Sequence, residues 1–131
     1  MAKANWRELL GWTEDQLSEL RLSGFSFLRE GQYNKALIFF EALVILDPRS
    51  VYDIQTLGAL YLQLGKEEKA LKQINQALDL EPTHEPTLIN KVKALLTLNR
   101  ANEALIIARN LEHSKDPTIA NEASALISAY S

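Results

Sequence analysis

Residues 31–48 read GQYNKALIFFEALVILDP, and residues 65–82 read GKEEKALKQINQALDLEP. Gly31, Ala36, Leu37 and Pro48 recur thirty-four positions later as Gly65, Ala70, Leu71 and Pro82, and just upstream Gly24 recurs as Gly58. Between each glycine and its proline the apolar residues keep one helical face: Ala36, Leu37, Phe40 and Leu43, then Ala70, Leu71, Ile74 and Ala77. The three-and-four spacing is that of an amphipathic helix. A weaker third copy holds the same phase with Ala104, Leu105, Ala108 and Leu111. A fixed step that long, with one helix of a pair so marked, predicts a stacked helical-repeat array in which each unit buries its apolar face only against its neighbours.

The punctuation supports that reading and fixes the register. Counting Leu17 as the first position, the units run Leu17–Ser50, Val51–His84 and onward from Glu85. Gly31 and Gly65 fall between paired helices, where a left-handed residue ends one helix and lets the chain turn back; Asn99 stands there in the third unit. Pro48 and Pro82 follow Asp47 and Glu81 where the second helices must stop. Gly24 and Gly58, with Phe27 and Tyr61 three residues on, let the two helices of a unit lie close, whereas the third unit has Val92 and Leu95 there and predicts a different spacing. The step and the Gly–Gly–Ala–Pro pattern make the repeat tetratricopeptide-like.

The ends depart from the repeat. Asp116 and Pro117 predict an N-cap and first turn for a last helix running to about Tyr130, with Ile119, Ala123, Leu126, Ile127 and Tyr130 on its apolar stripe and Asn121, Glu122, Ser124 and Ser128 opposite. One wet face and one dry face suit a terminal cap. Thr13 and Gln16 predict a capping box opening the first repeat helix. Before it, the segment Ala4–Trp12 carries Trp6, Leu9, Leu10 and Trp12. The expected architecture is all-α: a solenoid of three helix pairs with an N-terminal helical extension and a C-terminal capping helix. It forms one domain, divided into an arm (1–12), three repeats (13–116) and a cap (117–131).

A chain of 131 residues, 47% of them apolar, can bury one core. A net charge of −3 gives no electrostatic pull toward nucleic acid or an anionic membrane. The chain has no cysteine, which fits a reducing compartment without requiring one. No basic start followed by an apolar run opens the chain, and no stretch approaches a membrane span, so a soluble protein of the cytoplasm is expected.

The residue types that carry chemistry are missing or scattered. There is no glycine-rich phosphate loop, and His84 and His113 fall in inter-helix regions of different units. No catalytic residue, metal ligand or cofactor is expected, and the protein is read as not an enzyme. The charged run Lys66, Glu67, Glu68, Lys69 and Lys72 has the spacing of a solvated helix face with local ion pairs.

In this architecture the first helices line the concave side, so their positions 5, 9 and 12 are the candidate groove: Arg21, Phe25 and Leu28, then Gln55, Ala59 and Leu62, then Ile89, Lys93 and Leu96, with Tyr52 at position 2. Apolar side chains on a concave wall mark a binding surface. A one-residue error of register would instead place some of them in the core.

The stretch 31–48, the run LGALYLQLG at Leu57–Gly65 and the segment EPTHEP at Glu81–Pro86 resemble the class II chaperones of bacterial type III secretion systems, with FFEALVILDP the most diagnostic part. The resemblance covers about Thr13–Ala108. It implies a bacterial cytosolic chaperone that binds an extended segment of a secreted translocator protein in the concave groove and keeps it soluble before export. By motif position it assigns Phe25 and Leu28 to a first anchor pocket, with Ala59 and Leu62 beside it. Leu28 stands where several relatives carry tyrosine. Many relatives dimerise through the N-terminal region, which makes Trp6, Leu9, Leu10 and Trp12 the candidate homodimer interface; the alternative is that these side chains fold back on the first repeat. Competing readings are a needle-subunit chaperone acting with a helical co-chaperone, and a generic tetratricopeptide scaffold. A clamp for C-terminal carboxylates needs polar groups where Phe25 and Ala59 stand.

Overall fold

The computed structural model describes residues 5–131, and every regular element among them is a helix. In chain order these are α1 (Trp6–Leu9), α2 (Glu14–Arg29), α3 (Tyr33–Leu46), α4 (Val51–Gln63), α5 (Glu67–Leu80), α6 (Glu85–Thr97), α7 (Ala101–Leu111) and α8 (Pro117–Tyr130). Helices α2 and α3, α4 and α5, and α6 and α7 pair as the three repeats, and α8 closes the stack against α7 and α6.

Local chemistry explains the boundaries. The Gln16 backbone N–H donates to Thr13 Oγ1 at 3.1 Å while the Thr13 N–H donates to Gln16 Oε1 at 2.9 Å, the expected capping box. At α8 the Thr118 N–H donates to Asp116 Oδ1 at 2.9 Å, with Pro117 in the first turn. Gly31, Gly65 and Asn99 have φ of 74°, 75° and 61°. All three units therefore turn through the same left-handed residue, and asparagine tolerates it in the third.

Packing between paired helices follows the repeat register. A Cβ on Gly24 would come within 2.9 Å of the Phe40 ring, and one on Gly58 within 3.0 Å of Ile74 Cγ1. At the matching places in the third repeat stand Val92 and Ala108, both fully buried. Bulk has moved from the second helix to the first, a volume-conserving exchange of the kind cores accept. One buried cluster runs from Leu17 on α2 to Ala123 on α8. Between repeats the Phe40 ring meets Tyr52 edge-on, with centroids 6.3 Å apart.

Both ends differ in part from the sequence reading. On α8, Ile119 and Ala123 are buried and Leu126 and Ile127 pack at the core's edge, but Tyr130 is exposed, so the apolar stripe stops a turn early. On the arm, Ala4 lies outside the described residues. α1 rests on α3, and Trp12 packs against the core, while Trp6, Leu9 and Leu10 are exposed.

Tyr61, buried on α4, donates from its hydroxyl to Glu41 Oε2 on α3 at 2.6 Å. Burial first, then that hydrogen bond and the carboxylate's charge, push its phenol up to about 12. A raised folded-state value means that the unfolded chain loses this proton first. The contribution is therefore fully present below about pH 10, the ordinary phenol range, and is lost as the pH rises through 12. Ultraviolet titration should show a late phenol step at about pH 12, and Tyr61→Phe should remove it; a late step that survives in the variant, or none in wild type, would contradict the burial assignment.

Candidate functional site

Helices α2, α4 and α6 form one face of the stack, and two cavities open along it. The larger, about 490 Å³, lies between α4 and α6. From α4 it takes Tyr52, Gln55, Thr56, Ala59, Leu60 and Gln63; from α6 and the turn before it come His84, Pro86, Thr87 and Asn90; Leu28 and Tyr33 of the first repeat close one end. A second cavity of about 320 Å³ is lined by Ser18, Arg21, Leu22 and Phe25 of α2 with Tyr52. Tyr52 belongs to both, so the two are contiguous subsites of one groove. Volumes of this order suit single segments of a ligand, not a whole folded partner.

Arg21 enters the groove wall already engaged. Its Nε donates to Asp53 Oδ1 and its Nη2 to Asp53 Oδ2, both at 2.7 Å, and Nη2 also reaches Asp47 Oδ2 at 3.3 Å. Asp53 is fully buried. The bidentate fork is the strong geometry for this pair. The hydrogen bonds it donates to Asp53 and the charges of both carboxylates hold the Arg21 guanidinium above its ordinary value, against the opposing effect of burial. Arg21 thus ties α2 to α4 and to the end of α3, and its charge is neutralised locally.

The structure sorts the sequence-derived groove residues unevenly. Leu28, Tyr52, Gln55 and Ala59 line the larger cavity, and Arg21 and Phe25 the smaller. Leu62 is half-buried against the core and lines neither. Ile89 and Leu96 are not on the wall: they are 4% and 7% exposed and join the same buried cluster as Ile119 and Ala123 of α8. The cap packs on the same helix: α8 lies against α6, and Lys93 forms an ion pair with Glu122 of α8, while the residues of this repeat that line the groove, His84, Pro86, Thr87 and Asn90, come from its start.

Sequence reasoning missed Leu22, Thr56, Gln63, Pro86 and Asn90, as well as His84, which it places only between helices. The His84 Nδ1 lies 2.7 Å from the buried Thr87 hydroxyl. A signal was available. Tyr52, Thr56, Ala59 and Gln63 follow i, i+4, i+7, i+11, so the groove stripe of α4 runs through repeat positions 2, 6, 9 and 13.

Among the described residues no cluster of histidine, cysteine or acidic side chains is placed to hold a metal ion. No helix there is long and apolar enough to cross a membrane. The groove offers shape, apolar surface and neutral hydrogen-bonding groups, which is the equipment of a binding surface.

Comparison with known proteins follows the same lines. Over 90% or more of the chain it superposes on two solved chaperone complexes. PcrH of Pseudomonas aeruginosa, in complex with the chaperone binding region of PopD, is 26% identical with a TM-score of 0.78, covering 92% of this chain and 94% of that one. The Yersinia enterocolitica type III secretion chaperone SycD, in complex with a peptide of the translocator YopD, is 21% identical with a TM-score of 0.78, covering 90% and 94%. By sequence, the BBSome complex member BBS4 of Bos taurus is 36% identical over 61 residues, 47% of this chain. The chain spans only about an eighth of the length of the curated relatives it matches. The tetratricopeptide repeat family model matches residues 24–97, more than half of the chain, from the end of α2 through the whole of α3, α4, α5 and α6. The chain belongs to the tetratricopeptide repeat family.

Proposed function

We propose that this protein is a chaperone of a type III secretion system that receives an extended segment of a secreted translocator protein in the groove of α2, α4 and α6. The segment stays soluble until the export machinery takes it. One observation carries the reading: the two contiguous cavities lie on a fold that matches, nearly end to end, a translocator chaperone holding a client region. Holding needs no chemistry. Binding of the native-like segment competes with its aggregation by mass action, and the work is done in the cytoplasm of a bacterium, without cofactor or metal, by a chain acting as one domain.

Within the groove, Phe25, Leu28, Tyr52 and Ala59 supply apolar contact and Gln55 pairs with the segment's backbone. Trp6, Leu9 and Leu10 form the apolar patch of a homodimer interface, and Trp12 supports them from inside. The first experiment is a pull-down from the native bacterium with mass spectrometry of the captured chains, run with wild type and Phe25→Ala in parallel. Wild type should retain a secreted protein with long apolar segments, and Phe25→Ala should recover roughly tenfold to thirtyfold less of it, as expected for a central anchor. Recovery of a small needle-type subunit with a helical co-chaperone would replace this reading by the needle-subunit one, and housekeeping partners alone would leave a generic scaffold.

A further inference from the structure

The first helices of the first two repeats stand apart where the smaller cavity lies. No Cα of α2 comes within 8 Å of one of α4, whereas α4 and α6 do approach that closely. The cavity has Leu22 and Phe25 of α2 on one side and only Tyr52 of α4 on the other. Among the described residues, the side-chain hydrogen bonds that join α2 to α4 are the two from Arg21 to Asp53, the neighbour of Tyr52 in sequence. The third bond of Arg21, to Asp47, reaches the C-cap of α3.

The repeat register offers a comparison. Thirty-four residues on, the places of Arg21, Asp47 and Asp53 hold Gln55, Glu81 and Thr87. There a single 3.3 Å hydrogen bond joins Gln55 to Glu81, and the Thr87 hydroxyl pairs with His84 instead. The ionic clasp thus stands where the helices are apart, and the weaker form where they meet.

A buried ion pair contributes little net stability over apolar residues of the same volume, because desolvating the charges offsets their attraction. What it does supply is geometry. Two parallel bonds from a planar guanidinium fix its orientation as well as its distance from the carboxylate. Tyr52 in turn packs on the fully buried Phe40 ring, with centroids 6.3 Å apart. With α4 tied through Asp53 to α2, the spacing of Phe25 from Tyr52 is set before a client arrives, and a preformed apolar pocket discriminates by size.

Resting on the chaperone reading above, we propose that Arg21, Asp53 and Asp47 form a strut that fixes the width of the smaller subsite, which therefore selects one size of apolar client side chain. Asp53 is a positioning residue. Fully buried and lining neither cavity, it acts on the client only through Arg21 and Tyr52.

The test uses synthetic eleven-residue peptides of alanine and serine carrying two apolar residues two or four positions apart, the spacing at which side chains recur on one face of an extended segment. Each apolar position in turn is kept leucine while the other runs through Ala, Val, Leu, Met and Phe. Binding to the full chain is read by fluorescence anisotropy at low temperature, with circular dichroism checking that each variant is folded. Wild type should separate the best size from the next by about tenfold at one of the two positions. Phe25→Ala should erase that preference, which marks the position as the one seated against Phe25. Asp53→Asn, and Arg21→Met paired with Asp53→Leu, should narrow the separation to about threefold or less, because a pocket that yields no longer excludes a methylene. Neither variant removes Phe25 or Tyr52. Arg21→Lys, which keeps the charge and loses the fork, gives the same reading should either fold poorly. A role in stability alone would leave the folded variants as selective as wild type, and that result would overturn the strut while leaving the chaperone reading in place. So would a wild type that accepts all these sizes alike. Binding of no peptide, or binding indifferent to Phe25→Ala, would remove the groove itself and both proposals with it.

Discussion

Replacing Asp53 with alanine is expected to lower the stability of the fold by about 3–5 kcal/mol. That corresponds to a fall in melting temperature on the order of 10–20 °C for a domain of this size. Asp53 is fully buried and receives two 2.7 Å hydrogen bonds from Arg21. Without it, the guanidinium, three-quarters buried between α2 and α4, keeps only the longer contact to Asp47 at 3.3 Å. A buried charge that has lost its partner is costly in a way that the pair itself is not stabilising. The paired replacement Arg21→Met with Asp53→Leu should therefore recover most of the loss. Chemical denaturation of Arg21→Met, Asp53→Leu and the double variant forms the cycle that decides the matter. A loss below about 1 kcal/mol for Asp53→Ala would show that water reaches the site and that the repeats do not depend on this clasp.

Phe40→Ala should have a comparable effect, about 3–5 kcal/mol, because the ring is fully buried and its removal leaves a cavity at the centre of the first repeat. The repeat itself supplies the compensating change. Gly24 faces Phe40 at a distance that admits no side chain, whereas the third repeat has Val92 and Ala108 in the same two places, both buried. Gly24→Val alone should destabilise by about 1–3 kcal/mol through crowding. Combined with Phe40→Ala, the valine should refill part of the void, so that the double variant is more stable than Phe40→Ala by about 1–2 kcal/mol. Thermal melts followed by circular dichroism measure all three. Strict additivity of the two losses would mean that the two positions do not share a space in the folded chain.

Much of this architecture was legible because it depends on local rules. Gly31, Gly65 and Asn99 end helices by conformation alone, Thr13 and Asp116 cap by their own side chains, and the Ala36, Leu37, Phe40, Leu43 stripe defines a helix face whatever it packs against. The groove was legible only in part. Phe25, Leu28, Tyr52, Gln55 and Ala59 line it as the repeat register requires, and Ile89 and Leu96 do not. Counting along one helix treats every repeat as an interior one, and the third repeat has the cap as its neighbour.

The sequence alone determined the number of helix pairs, their phase, their turns and the identity of the cap, since a thirty-four-residue period and its punctuation are properties of the chain's order. Only the tertiary structure decided which face of each first helix stays open, that Ile89 is buried while Lys93 pairs with Glu122 of α8, and that Arg21 is neutralised by Asp47 and Asp53. The physical reason is range. Capping and periodicity act within a turn or two of helix, whereas exposure and charge pairing at a given side chain are set by segments 26 to 32 residues away, brought near by the stacking of whole repeats.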